Sequence, residues 1–165
     1  MLIKRKALLY DIENLAYTIA DTGEFNRHTL HRVRDICQDG NIDRVNRVLA
    51  LSYSKVLTVL MPIICKPTPS GFGSHEETDI DFHILLNKKG DARFRITRER
   101  EFNIKETIHE YLVCCVLADW LAITLPEAAD VWKFRAEMAL ESLEETVSSV
   151  AFDHSCAFTR RVPPI

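Results

Sequence analysis

The chain has 165 residues, 47% of them apolar and 27% charged, which is enough for one hydrophobic core and too little for two ordinary domains. Its 5 glycines and 6 prolines make about 7% of the chain against a usual share of about 12%, which excludes collagen-like, linker-like and low-complexity chains and favours helices. A net charge of −3, from 21 basic and 24 acidic residues, sets up no strong field, so a general nucleic-acid binder is not suggested.

The first residues, Met1-Leu2-Ile3-Lys4-Arg5-Lys6, lead into an apolar stretch that Asp11 and Glu13 interrupt, which does not read as a signal peptide. Leu8, Ile12, Leu15 and Ile19 recur at spacings of four and three with Ala16 and Ala20 beside them, predicting an amphipathic helix from about Arg5 to Asp21 that Gly23 ends. Asn26 is placed to cap a second helix with the stripe Leu30, Val33 and Ile36/Cys37, and Gly40 stands where a left-handed C-terminal residue is expected. Asn41 restarts the pattern at once. Ile42, Val45, Val48/Leu49, Ser52/Tyr53, Val56, Leu57 and Leu60 keep the 3.6-residue period up to Pro62, giving a third helix.

Residues 66–78 hold two prolines, two glycines and no apolar period, and read as a loop. The period then drops to two: Ile80, Phe82, Ile84 and Leu86 alternate with Asp79, Asp81, His83 and Leu85, and Phe94 and Ile96 alternate with Arg93, Arg95 and Thr97. That predicts a β-hairpin turning at Gly90, with Ile84 opposite Phe94 and Phe82 opposite Ile96. Asn103 with Glu106 resembles a cap that opens a fourth helix through Ile104, Ile108, Tyr111/Leu112, Cys115/Val116 and Trp120. Thr124-Leu125-Pro126-Glu127 stops that helix and starts a fifth, whose buried stripe is Trp132, Ala136, Ala139/Leu140, Leu143, Val147 and Val150 and whose outer face carries Glu137, Glu141, Glu144 and Glu145. Both tryptophans read as core. The expected fold is mainly α, a single domain over 1–152 of about five helices with one inserted hairpin at 79–97, followed by an extended tail at 153–165.

Cys37, Cys65, Cys114, Cys115 and Cys156 form an odd set without metal-ligand spacing, and read as reduced, mostly buried small hydrophobes of a cytoplasmic protein. No run reaches the roughly 18–20 uninterrupted apolar residues of a membrane span, so no membrane partner is expected. His28 and His31 share a helix face without a third ligand, and no Gly-x-Ser-x-Gly, P-loop or dinucleotide fingerprint is present. No cofactor and no metal are therefore expected.

Asp11-Ile12-Glu13-Asn14 after Ala7-Leu8-Leu9-Tyr10 resembles the opening of a NYN or PIN-type ribonuclease, in which an apolar strand delivers an Asp and an Asn to a divalent metal. The resemblance implies Asp11, Asn14, Asp79 and Asp81 as ligands, because hard cations need clustered oxygens. It covers about ten residues, and the alternation of strands and helices that such a fold needs is missing. The competing reading puts Asp11, Glu13 and Asn14 on the solvent side of the first helix, and separates from the enzyme at residues 7–14, strand or helix.

Arg93, Arg95, Arg98 and Arg100 place four guanidinium groups within eight residues, and Arg160-Arg161 adds a pair in the tail. Arginine forks suit carboxylate or phosphate, with Glu99, Glu101, Asp79 and Asp81 near enough to neutralise much of that charge, so these arginines are read as paired within the chain or as a subunit contact, with nucleic acid as secondary. The segment Ile108 to Leu121 and then Pro126 to Trp132 is similar to a stretch in small proteins of prophages and mobile elements. A helical domain with one hairpin arm and a proline-containing tail resembles the head–tail connector, or neck, proteins of tailed bacteriophages. That resemblance implies a non-enzymatic protein of the virion or the host cytoplasm that self-associates and binds other virion or assembly proteins. It also implies that hairpin and tail reach a neighbouring subunit, with hairpin arginines meeting glutamates of the fifth helix. A small adaptor for one host protein is the alternative within the same class.

Overall fold

A computed structural model describes residues 1–22, 27–64, 82–84 and 96–158. Within them the order is β1 (Leu2–Ile3), α1 (Arg5–Thr22), α2 (Arg27–Arg34), a 3₁₀ turn at Asp35–Cys37, α3 (Ile42–Leu60), β2 (Phe82–His83), α4 (Arg98–Thr124) and α5 (Pro126–Phe158). The protein is a mainly α bundle.

Apolar residues four apart on α1, Leu8, Ile12, Ala16 and Ala20, are fully buried, and the helix opens where Ala7 and Leu8 donate their amides to the Lys4 carbonyl. The small Ala16 and Ala20 let α2 and the 3₁₀ turn approach closely enough to bury Val33 and Ile36. An Arg34–Asp21 ion pair and the Arg34 guanidinium 5.6 Å from the Tyr17 ring centre tie α2 to α1 from outside. Gly40 departs from expectation, since its backbone is not left-handed and a Cβ there would meet nothing within 4 Å. The chain turns instead through Asn41, whose side-chain amide donates to the Asp35 carbonyl at 2.7 Å. The 3₁₀ turn thus gains a partner that a glycine cap would otherwise supply. The α3 stripe Val45, Leu49, Ser52, Tyr53, Val56 and Leu60 is buried as its period predicts.

β2 pairs antiparallel with β1, Leu2 opposite His83 and Ile3 opposite Phe82, a partner that a two-residue strand gives no periodic signal for. Phe82 and Ile84 both face the core, as the alternation requires, and the Phe82 ring lies 4.6 Å from that of Tyr53. Ile96 and Thr97, the expected end of the second strand, are not in a strand, because Thr97 serves as a helix cap, and Phe82 lies opposite Ile3 and not Ile96. Asp79, Asp81, Gly90, Arg93 and Arg95 lie outside the described residues, as do Gly23, Asn26 and the loop 66–78.

α4 begins at Arg98, not near Asn103. Thr97 is its cap, with the hydroxyl oxygen accepting the Arg100 amide at 3.3 Å, and Glu99 and Glu101 in the first turn suit the positive end of the helix dipole. Arg98 and Arg100 are therefore helical residues and do not extend the hairpin. Residues buried around most of its circumference, among them Ile108, Leu112, Val113, Leu117 and Leu121, mark α4 as the central helix, packed by α5, α3, α1 and α2. Among the described residues it is the helix long and apolar enough to cross a membrane, and half of its most apolar window is buried inside the bundle.

Trp120 and Trp132 are buried, the indole N–H of Trp120 donating to the Val33 carbonyl at 3.1 Å. α5 starts at Pro126, where the absent N–H costs nothing, and runs to Phe158, past the expected boundary at residue 152. Asp153 to Phe158 lacks apolar period but contains neither glycine nor proline, so nothing in those six residues breaks the helix. Residues 159–165 lie outside the described chain.

Candidate interaction surfaces

Of the four residues that carry the ribonuclease resemblance, Asp11 and Asn14 fall within the described chain. Ala7 to Asn14 is helical, so Asp11 and Asn14 project from α1 and not from the end of a strand, while Asp79 and Asp81 lie outside the described residues. Asp11 meets His109 of α4, the carboxylate oxygen 2.7 Å from Nε2. No group of three His, Cys, Asp or Glu placed to hold a metal ion occurs among the described residues. Two of the thiols are the opposite of activated: burial pushes the pKa of Cys37 up to about 11, with the nearby Glu13 carboxylate adding to it, and burial beside Glu110 pushes that of Cys114 up to about 12.

Among the described side chains of α5, the most exposed large apolar groups stand in one row. Val131, Phe134 and Met138 are 60%, 62% and 50% exposed, and their spacings of three and four put them on one face of α5. Glu127 continues the row toward the helix start, Glu141 and Glu145 continue it toward the end, and Asp130 and Glu137 flank it, all exposed. The face is thus an apolar strip framed by carboxylates, lying away from the buried stripe of Trp132, Ala136 and Leu143. Its signal is present in the sequence as a second apolar row, hidden by the stronger one. Arg135 beside the strip is already engaged, stacked 4.5 Å over the Trp132 ring and 2.7 Å from Glu110.

Two of the six candidate arginines fall within the described chain. Arg98 and Arg100 are exposed on the first turn of α4, and Arg93, Arg95, Arg160 and Arg161 lie outside the described residues. Arg98 also borders a groove of about 720 Å³ between β1, α1 and the start of α4. Lys4, Lys105, Glu101, Glu106, Phe102 and the Asp11–His109 pair line the same groove. A smaller cleft of about 330 Å³ lies where the 3₁₀ turn, α3 and α4 meet, with Arg32, Asp35 and Trp120 in its wall. Arg44 there is bound to Asp119 at 2.7 Å, which raises the pKa of an already permanent cation.

Comparisons with protein families, with characterised proteins and with solved structures found no match to this chain.

Proposed function

We propose that this protein is a non-enzymatic assembly protein that works by binding further copies of itself and other assembly proteins, in the manner of the head–tail connectors of tailed bacteriophages. The observation that supports this reading is the strip Val131, Phe134 and Met138. Burying a whole side chain of this kind is worth about 1.5–3 kcal/mol, so three half-exposed ones supply roughly 2.5–5 kcal/mol. Association costs about 4–15 kcal/mol, so the strip alone reaches at most the low end of that cost and the contact needs a second contribution.

Charge supplies it and also selects the geometry. A symmetric contact of α5 with α5 of another copy would bring the carboxylates at Glu127 and Glu141 toward their like. A head-to-tail contact sets the acidic rim against a basic surface, and Arg93, Arg95, Arg98 and Arg100 put four guanidinium groups within eight residues. Head-to-tail contacts repeat from copy to copy, closing into rings when the rotation permits.

Sedimentation velocity on the wild type and on Phe134→Glu tests this. The expected result is a concentration-dependent assembly that the substitution reduces to the single chain, with the helical circular dichroism unchanged because Phe134 is on the surface. Equal sedimentation of the two proteins would count against it. Charge reversal at Arg93 and Arg95 is expected to weaken assembly in the same assay.

A further inference from the structure

We propose that the groove beside β1 binds an acidic peptide in extended conformation, added as a strand to the edge of β1 opposite β2. The Met1 amino group donates to the Ile84 carbonyl at 2.9 Å and the Ile84 amide donates to the Met1 carbonyl at 3.0 Å. In an antiparallel ladder this hydrogen-bonded pair turns the N–H and C=O of the next residue to the opposite edge. That residue is Leu2, which is exposed, lines the groove, and has no backbone partner among the described residues. One donor and one acceptor thus stand at ladder spacing beside an open groove, the arrangement to which an incoming strand adds.

The side chains around this edge set the chemistry of the incoming strand. Lys4, Arg98 and Lys105 line the groove, and none has an ion-pair partner among the described residues. Glu101 lies 3.8 Å from the Met1 amino group, and the two remaining acids, Glu106 and the His109-bonded Asp11, are fewer than the three cations. The unmatched charge is therefore positive. Phe102, 60% exposed, offers apolar surface for alternate side chains of an extended segment. A nucleic-acid backbone would also answer the positive charge, but phosphates only accept hydrogen bonds and would leave the Leu2 carbonyl without a donor. A peptide answers both groups.

The test uses the full chain and a dye-labelled, end-blocked peptide, Asp-Val-Glu-Val-Asp-Val-Glu. The expected results are saturable binding, amide exchange at Leu2 slowed roughly tenfold at saturation, and binding weakened about tenfold for a Lys-Val repeat or for the Arg98→Glu/Lys105→Glu protein. The exchanged pair Arg98→Lys/Lys105→Arg is expected to bind as the wild type does. The Lys-Val peptide on unaltered protein reads the charge requirement even if the double reversal fails to fold. Absence of saturable binding, equal binding of the Lys-Val peptide, unchanged Leu2 exchange, or equal displacement by a single-stranded oligonucleotide would each overturn the proposal.

Discussion

Asp11 on α1 and His109 on α4 meet at 2.7 Å, 98 residues apart in the chain, and clasp the two helices at the rim of the β1 groove. The side chains are 46% and 20% exposed, so solvent screens the pair. A double-mutant cycle with Asp11→Ala and His109→Ala is expected to give a coupling of about 1 kcal/mol or less. A coupling well above that would show a site more desolvated than its exposure allows. Asp11→Asn is likewise expected to leave RNA incubated with Mn²⁺ unchanged relative to wild type, and a loss of cleavage in the variant would revive the ribonuclease reading.

Gly40→Ala is expected to stabilise the fold by about 0.4–1 kcal/mol, because the backbone there is not left-handed and the new methyl meets nothing within 4 Å. The measurement is the denaturant midpoint at unchanged slope. A destabilisation would indicate a left-handed cap after all.

Trp120→Phe removes the N–H that satisfies the Val33 carbonyl beneath a buried ring. The cost expected from an unmet buried acceptor is about 1–3 kcal/mol, read as a lower unfolding midpoint. A loss within a few tenths would mean that water replaces the indole.

Cys37 and Cys114 are expected to resist alkylation in the native protein near pH 8, since burial holds their pKa values at about 11 and about 12. The ordinary thiol value is 9.0. The folded state therefore holds these protons more tightly than the unfolded state does. The stability they contribute is fully present below pH 9 and is lost as pH rises through the folded values. Mass spectrometry after iodoacetamide treatment checks the reactivity, and rapid native labelling at pH 8 would contradict it.

Where the apolar period was long, structure followed it closely. α1 runs over Arg5–Thr22 and α3 ends at Leu60 just before Pro62, because repeated burial of one face over several turns outweighs local choices of cap. Short or locally ambiguous signals specify less. Asn103 with Glu106 has the form of a cap but sits inside α4, since the Thr97 hydroxyl already caps the helix through the Arg100 amide and no breaker follows it. β1 is two residues long and exists only through its pairing with Phe82 and His83, which no local pattern encodes. The candidate surfaces show the same division: the acidic side of α5 is visible as a run of glutamates, whereas the Asp11–His109 clasp and the groove around it depend on the folding together of chain ends far apart.

Determining the mass of the wild-type protein in solution over a range of concentrations, with negative-stain imaging of the same samples, tests self-assembly most directly. Assembly through the α5 face predicts a mass of several chains and closed rings that Phe134→Glu abolishes. A mass of one chain, 19.0 kDa, at every concentration would contradict it.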